Sequence, residues 1–492
     1  MHVVNRISLD LTLRDERQAA QLVAQWTPHI TDALSDVLNE ICGAYDNDST
    51  VLTIDRLDLE IGELNGEGLP EKLRQLQNGF REILRQKMTP LLFNVHSTFE
   101  HGYRQTDSDA LSSPTLPGQS FPEIPVNTSA ARTHKSDHVL RTLLHFLETG
   151  NLPWWHASAN FSVPEILQQL CIDKEEALRA ALSDIHQRHN DAIPRLLQHA
   201  GPASRQMLFQ LFDLSEPVLE RLVKKHFDRD FSNKLAENIN TDPHTHILKT
   251  AILLFREGSA DLMESAIDVY FEKQAVDVET YLKTARAITE EPVVPTEIRQ
   301  ISHMTIESFG FSATKADKDN LKYRVEDAGI VLTAGFLSHY FKQLGLLNED
   351  GFVSEEARFA AAHALKYLAN GYVAPSEHTL ALEKLLCGLD PETFVPLDIT
   401  LDSEALEAEG TELLTTLISH WSALKNTSIE GLRQTFLHRG GILERLSEFE
   451  WALHVERGVF DMLLHLLPAG FPLSTLVFSW SKFILYVNWE RP

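Results

Sequence analysis

The hydrophobic periods of this chain predict a mainly α-helical protein: a stacked multi-helix body with a small N-terminal β-α-β-α unit. Two observations carry that expectation. Apolar residues alternate with polar ones in two short N-terminal runs, then recur at three- and four-residue steps through most of the following sequence. Pro and Gly cut that helical pattern into pieces of about 10 to 20 residues, short enough to stack as antiparallel neighbours.

The first run holds Ile7, Leu9, Leu11 and Leu13 against Ser8, Asp10 and Thr12, a strand with one buried face. Ala19, Leu22, Val23, Trp26, Ile30, Leu34, Val37, Leu38 and Ile41 then fit one face of a helix, with a new segment or a kink at Pro28. The run "VLTIDRLDLEIG" is again strand-like, and a second helix is expected from about Pro70 to Leu92. Two strands joined through a helix suggest a parallel crossover. A two-stranded sheet is marginal alone, and the alternation of Phe483, Leu485, Val487 and Trp489 makes the C-terminal segment a candidate third strand.

The expected organisation is a unit over 1–98, a disordered Pro/Ser/Thr linker over 99–136, a helical stack over 137–318 and a C-terminal helical domain with a terminal strand over 319–492. Within the stack, "VPEILQQLC", "AIPRLLQHAG", "EPVLERLVKKH" and "DPHTHILKTAILLFREG" each read as one helix. Their spacing is too irregular for a tetratricopeptide or HEAT period. Asp398, Asp402, Glu404, Glu407, Glu409 and Glu412 gather with no Lys or Arg among them. That pattern suits a solvated helix N-terminus, with a cation or basic-partner site as the other reading.

Composition narrows the function. A hydrophobic share of 43% suits a soluble chain with a real core, and a net charge of −26 opposes binding to nucleic acid or to an anionic membrane. The longest apolar run, Gly329 to Phe341, is too short to span a bilayer. The opening residues have no continuous apolar stretch of the secretory kind. Cys42, Cys171 and Cys387 form no C-x-x-C pair, which fits a reducing, cytoplasmic setting.

No phosphate-binding, dinucleotide, hydrolase or zincin motif appears. Asp46 and Asp48 open an EF-hand-like run that fails at Val51 and Leu57. His186 with His189, and His244 with His246, lack a nameable third ligand and read as surface or capping histidines. No catalytic, cofactor or metal residue is therefore assigned, and no enzyme activity is expected. Trp154 and Trp155 could stack a ligand, although aromatics after a Gly-x-x-Pro turn more often anchor packing.

The Trp pair closes the phrase "LLHFLETGNLPWW", which resembles one in the tape measure protein family of contractile injection systems, phage-tail-like particles that bacteria build. "NRISLDLTL" with "TIDRLDLEIGEL" resembles the family's opening strand-helix-strand unit. A third block matches at Glu377, Leu380, Lys384, Leu385, Leu386, Cys387 and Gly388. A fourth matches at Trp421, Leu424, Lys425, Asn426, Thr427, Ser428, Gly431, Leu432, Arg433, Phe436, Leu437 and Arg439. The final segment departs from the family, with Pro468 followed by Ala469 where a Pro-Trp pair is common.

The resemblance implies a structural role in setting tail-tube length or starting tube and baseplate assembly, with tube, hub and baseplate proteins as partners. It also implies a cytoplasmic chain during assembly that could remain inside the finished particle. A stand-alone helical scaffold, adaptor or chaperone is the alternative. Locally, Thr427 with Glu430 reads as a capping box, and Gly440 or Gly441 as the left-handed end of the helix that follows. Capping leaves Arg433 and Arg439 unexplained; a solvated surface is their default, and a partner-facing or buried-carboxylate role is the functional alternative.

Overall fold

The computed structural model describes residues 34, 36–43, 50–54, 69–93, 130–153, 156, 161–227, 243–256, 263–271, 321–372, 376–399, 401–424, 426–468 and 474–489. The expected strand at 7–13, the helix before residue 34, most of the linker, Trp154, Trp155 and Lys425 lie outside the described residues. Two compact units divide the chain, residues 1–139 and residues 140–491.

In the first unit, strand β1 (Thr50–Ile54) pairs antiparallel with β2 (Ala130–His134). β2 falls inside the segment expected to be linker, so residues far downstream supply the neighbour of β1. Helix α1 (Leu69–Phe93) buries Leu76, Phe80, Leu84 and Met88 at four-residue steps. Residues 36–43 are helical, and Glu40 there pairs with Arg81 at 2.9 Å and Arg85 at 3.0 Å.

The second unit is entered along α2 (Lys135–Thr149). There follow α3 (Val163–Asp173), α4 (Glu175–Arg188), α5 (Ala192–His199), α6 (Pro202–Leu211), α7 (Glu216–Phe227) and α8 (Pro243–Arg256). Each of the four phrases read as a helix is one. Pro164 and Pro202 stand at the first turn of their helices, where a missing amide proton costs nothing. The faces meet along Leu167, Leu170, Leu178, Ile185, Leu208 and Ile252, all buried.

Residues 321–489 depart from the helical expectation. Strands β3 (Lys322–Val325), β4 (Gly441–Arg445), β5 (Glu450–Val455), β6 (Thr475–Val477) and β7 (Ile484–Trp489) form a mixed sheet of order β3-β4-β5-β7-β6. β7 runs parallel to β5 and antiparallel to β6. The C-terminal strand thus completes this sheet rather than joining the N-terminal strands, a correction of the expected assembly. The strand β5 escapes a period-two reading because Trp451, Ala452 and Leu453 are buried in succession, on both faces of the sheet.

Against the sheet pack a 3-10 helix (Ala328–Phe336) and α11 (Ala381–Leu386), and α9 (Leu337–Gln343), α10 (Glu355–Asn370) and α12 (Ser403–His420) pack on these in the same core. The apolar run at Gly329–Phe341 is therefore core. A β-carbon on Gly329 would overlap the Phe436 carbonyl, so only glycine lets these two backbones touch. Asp402 caps α12 by accepting amide protons from Glu404 at 3.0 Å and Ala405 at 3.2 Å, which places the acidic run at a helix start.

Candidate functional site

Two of the matched phrases meet in space around Glu377, whose side chain is wholly buried. α2 ends at Gly150 in the left-handed conformation, φ 70°, with its amide bonded to the Phe146 carbonyl. A β-carbon on Gly150 would stand 2.7 Å from Glu377 Oε1, so the glycine of "ETGN" makes room for the glutamate of the third block. The neighbouring Asn151 donates to the Pro391 carbonyl at 3.0 Å.

Glu377 sits in a 3-10 turn (Glu377–Leu380) just ahead of α11 and accepts from three sides. Lys384 Nζ reaches Oε1 at 2.9 Å from seven residues further on, about two helical turns. Arg195 of α5 donates from Nε to Oε2 at 2.9 Å and from Nη2 to Oε1 at 3.2 Å, a two-pronged grip. Val395 donates its amide at 3.3 Å. The remaining donors of Arg195 go to the carbonyls of Leu147, Glu148 and Glu392, so a cation only 1% exposed has every prong engaged.

Burial alone would push the Glu377 carboxyl up, yet Lys384 and Arg195 outweigh it and hold the group below the usual carboxylate range. Burial pulls the Lys384 ammonium down in spite of its pairing. Arg195 carries no resemblance to any matched phrase, and sequence reasoning missed it. Its signal was an arginine between Ile193 and Leu196 in an eight-residue helix with no acid of its own.

A second buried junction lies within the C-terminal body. The Asp327 carboxylate accepts from Lys366 Nζ, from Asn370 Nδ2 at 2.9 Å and from His438 Nδ1 at 2.8 Å. Glu383 stands 3.9 Å from the same ammonium. One lysine does not neutralise two buried carboxylates. Burial raises Asp327 as well, but His438 and Lys366 hold it low, while burial pushes Glu383 up to about 8.

Other matched residues among those described take packing or capping places. Cys387 is buried, and Gly388 turns left-handed at φ 79° where a β-carbon would press on the Trp480 carbonyl at 2.9 Å. Trp421 is buried against Phe436, with ring centroids 4.7 Å apart, and its indole nitrogen donates to the Leu463 carbonyl at 3.0 Å. Ser428, not Thr427, caps α13 (Ile429–Leu432), its hydroxyl accepting from Gly431 at 3.0 Å. Glu430 is engaged by Gln434 instead of closing a capping box. Asn426 is exposed.

After α13 the chain widens into a five-residue π-turn (Arg433–Leu437). Gly440 and Gly441 do not end it in a left-handed cap; Gly441 begins β4. Neither arginine is simply solvated. Arg433 donates to the Leu368 and Tyr367 carbonyls at the C-terminal end of α10, and Arg439 is buried with Nη1 2.6 Å from Asp461 Oδ1.

A groove between the Asn151–Pro153 turn and β3 has room for about one water. The chemistry that these residues share is joining: buried ions and capped helix ends hold distant segments together. Such joints tie a helical body to a mixed sheet. The chain belongs to the contractile injection system tape measure protein family, whose model matches residues 1–489. Neither a curated protein nor a solved structure matches it. Family membership gives the chain a structural role in a contractile injection system.

Proposed function

We propose that the chain serves particle assembly as a folded body, starting and bounding the growth of tube and baseplate, with tube, hub and baseplate proteins as its partners. Assembly takes place in the cytoplasm. The observation that carries this reading is the Glu377 junction. It binds α2 and α5 to the C-terminal body through five side-chain and main-chain acceptors of one buried arginine.

A chain of this length stretched as one helix would span on the order of 740 Å. Its 21 prolines and its inward-facing apolar surfaces favour the folded form over that rod. The test is to remove residues 272–318, roughly 50 residues or about 75 Å of helix, and to measure particles by electron microscopy. Particles of unchanged length are expected. Shortening in proportion to the deletion would overturn the folded reading and make the chain a stretched ruler.

A further inference from the structure

The Glu377 junction contains histidines as well as ions, and hydrogen bonds fix the charge of one of them. His199 Nδ1 lies 2.9 Å from the Arg195 carbonyl, which only accepts, so that nitrogen carries the proton. Nε2 of the same ring accepts the Glu377 amide proton at 3.1 Å and must be bare. His199 is thus neutral, and it bridges α5 to the turn that holds the central carboxylate. Its ring also stands edge-on to Phe146 of α2 at 4.9 Å.

His378, next to Glu377, packs edge-on against Phe161 at 5.4 Å and holds Ser376 Oγ at 2.8 Å. On the body side, His363 of α10 donates from Nε2 to the Pro396 carbonyl at 2.8 Å, and its buried Nδ1 has no partner. That bond steadies the 391–397 segment, whose main chain receives Asn151, Arg195 and Gln198 from the helical side.

We propose that this junction is an acid-opened clamp: protonation of His199 and His378, neutral in the closed form, parts the helical stack from the C-terminal body while that body stays folded. A second proton on His199 would point Nε2–H at the Glu377 N–H, donor against donor, and break the bridge. The charges around the rings oppose protonation further. His199 faces Arg195 and Lys384 against the single carboxylate of Glu377; His378 faces Lys366 against the same carboxylate, and each proton taken up by His199 or His156 opposes one on His378.

Burial holds His199 below the ordinary histidine range and does the same to His363; burial first, then the charge that His199 would gain on protonation and the Lys366 ammonium, carries His378 down to about 3. A histidine whose folded value is depressed binds its proton only in the open form. The closed form is therefore favoured in full above about pH 6.5 and loses ground as the pH falls below it. Within the C-terminal body, His438 responds oppositely. It is raised by the bond to Asp327, so acid strengthens that pair.

The test is hydrogen exchange on the full chain at about pH 7.5 and about pH 5, corrected for the intrinsic rate. Peptides over 192–200 and 376–397 are expected to exchange at least about ten-fold faster at the lower pH, with peptides over 441–455 still protected. A double variant, His199→Gln with His378→Phe, puts a neutral group with a donor and an acceptor in place of the first ring and an aromatic ring that takes no proton in place of the second, and is expected to lose that response. Junction peptides equally protected at both pH values, loss of the 441–455 peptides in step with them, or a wild-type response in the double variant would each overturn the clamp. The wild-type measurement decides the matter even where the double variant does not fold.

Discussion

Three carboxylates buried in the second unit, Glu377, Asp327 and Glu383, meet burial in different ways, and the difference lies in which cations each can reach. Glu377 and Asp327 are held low by direct donors, whereas Glu383 has only a lysine already committed to Asp327, and it is pushed up to about 8. Its folded value lies above its unfolded one, so its contribution to stability is fully present below about pH 4.5. That contribution is lost as the pH rises through about 8. Glu383→Gln keeps a neutral group of the same shape. The variant is expected to flatten the fall in urea midpoint between about pH 6 and pH 8.5 that the parent shows. A variant as steep as the parent would assign that fall to another group.

At the scale of elements, local rules read from sequence located helix starts to within a residue and failed where two elements share a residue. The serine beside the expected threonine caps α13, and "GLRQTFLHRGG" runs into a π-turn and then a strand because Gly441 packs beneath Ala328. Arg439 shows the consequence. Its pair with Asp461 ties the π-turn to a 3-10 helix (Asp461–Leu466), beside which Val459 and Phe460 are exposed and on which Met462 and Leu466 are. Trp421 grips the same segment through Leu463. Removing the buried cation leaves Asp461 only the Gly458 amide and costs about 3–5 kcal/mol. Arg439→Ala should therefore speed proteolytic cutting within 456–468 several-fold, with Ser428→Ala as a control that costs about 1 kcal/mol and leaves the segment uncut.

Across the whole molecule, the helical character and the family phrases were legible because periodic apolar faces and short capped segments are local properties. The sheet of residues 321–489 was not, since β3 and β4 are separated by more than a hundred residues and β5 hides its alternation in a doubly covered core. The candidate site was half legible: Gly150, Glu377 and Lys384 stand in matched phrases, but what joins them is an arginine from an unmatched helix. That arginine also separates the two ways in which a tape measure protein could work. Arg195→Met leaves Glu377 with Lys384 and one amide, and it is expected to weaken the closed junction by about 3–5 kcal/mol. Lys384→Met, which leaves the two-pronged arginine grip, should cost less. A body that acts folded loses function when its junction loosens, so Arg195→Met should lower the number of assembled particles and leave their length distribution unchanged. A ruler that must open before it can span a tube would gain from the same change. More particles, or particles of altered length, in electron micrographs of the Arg195→Met strain would therefore favour stretching over the folded form.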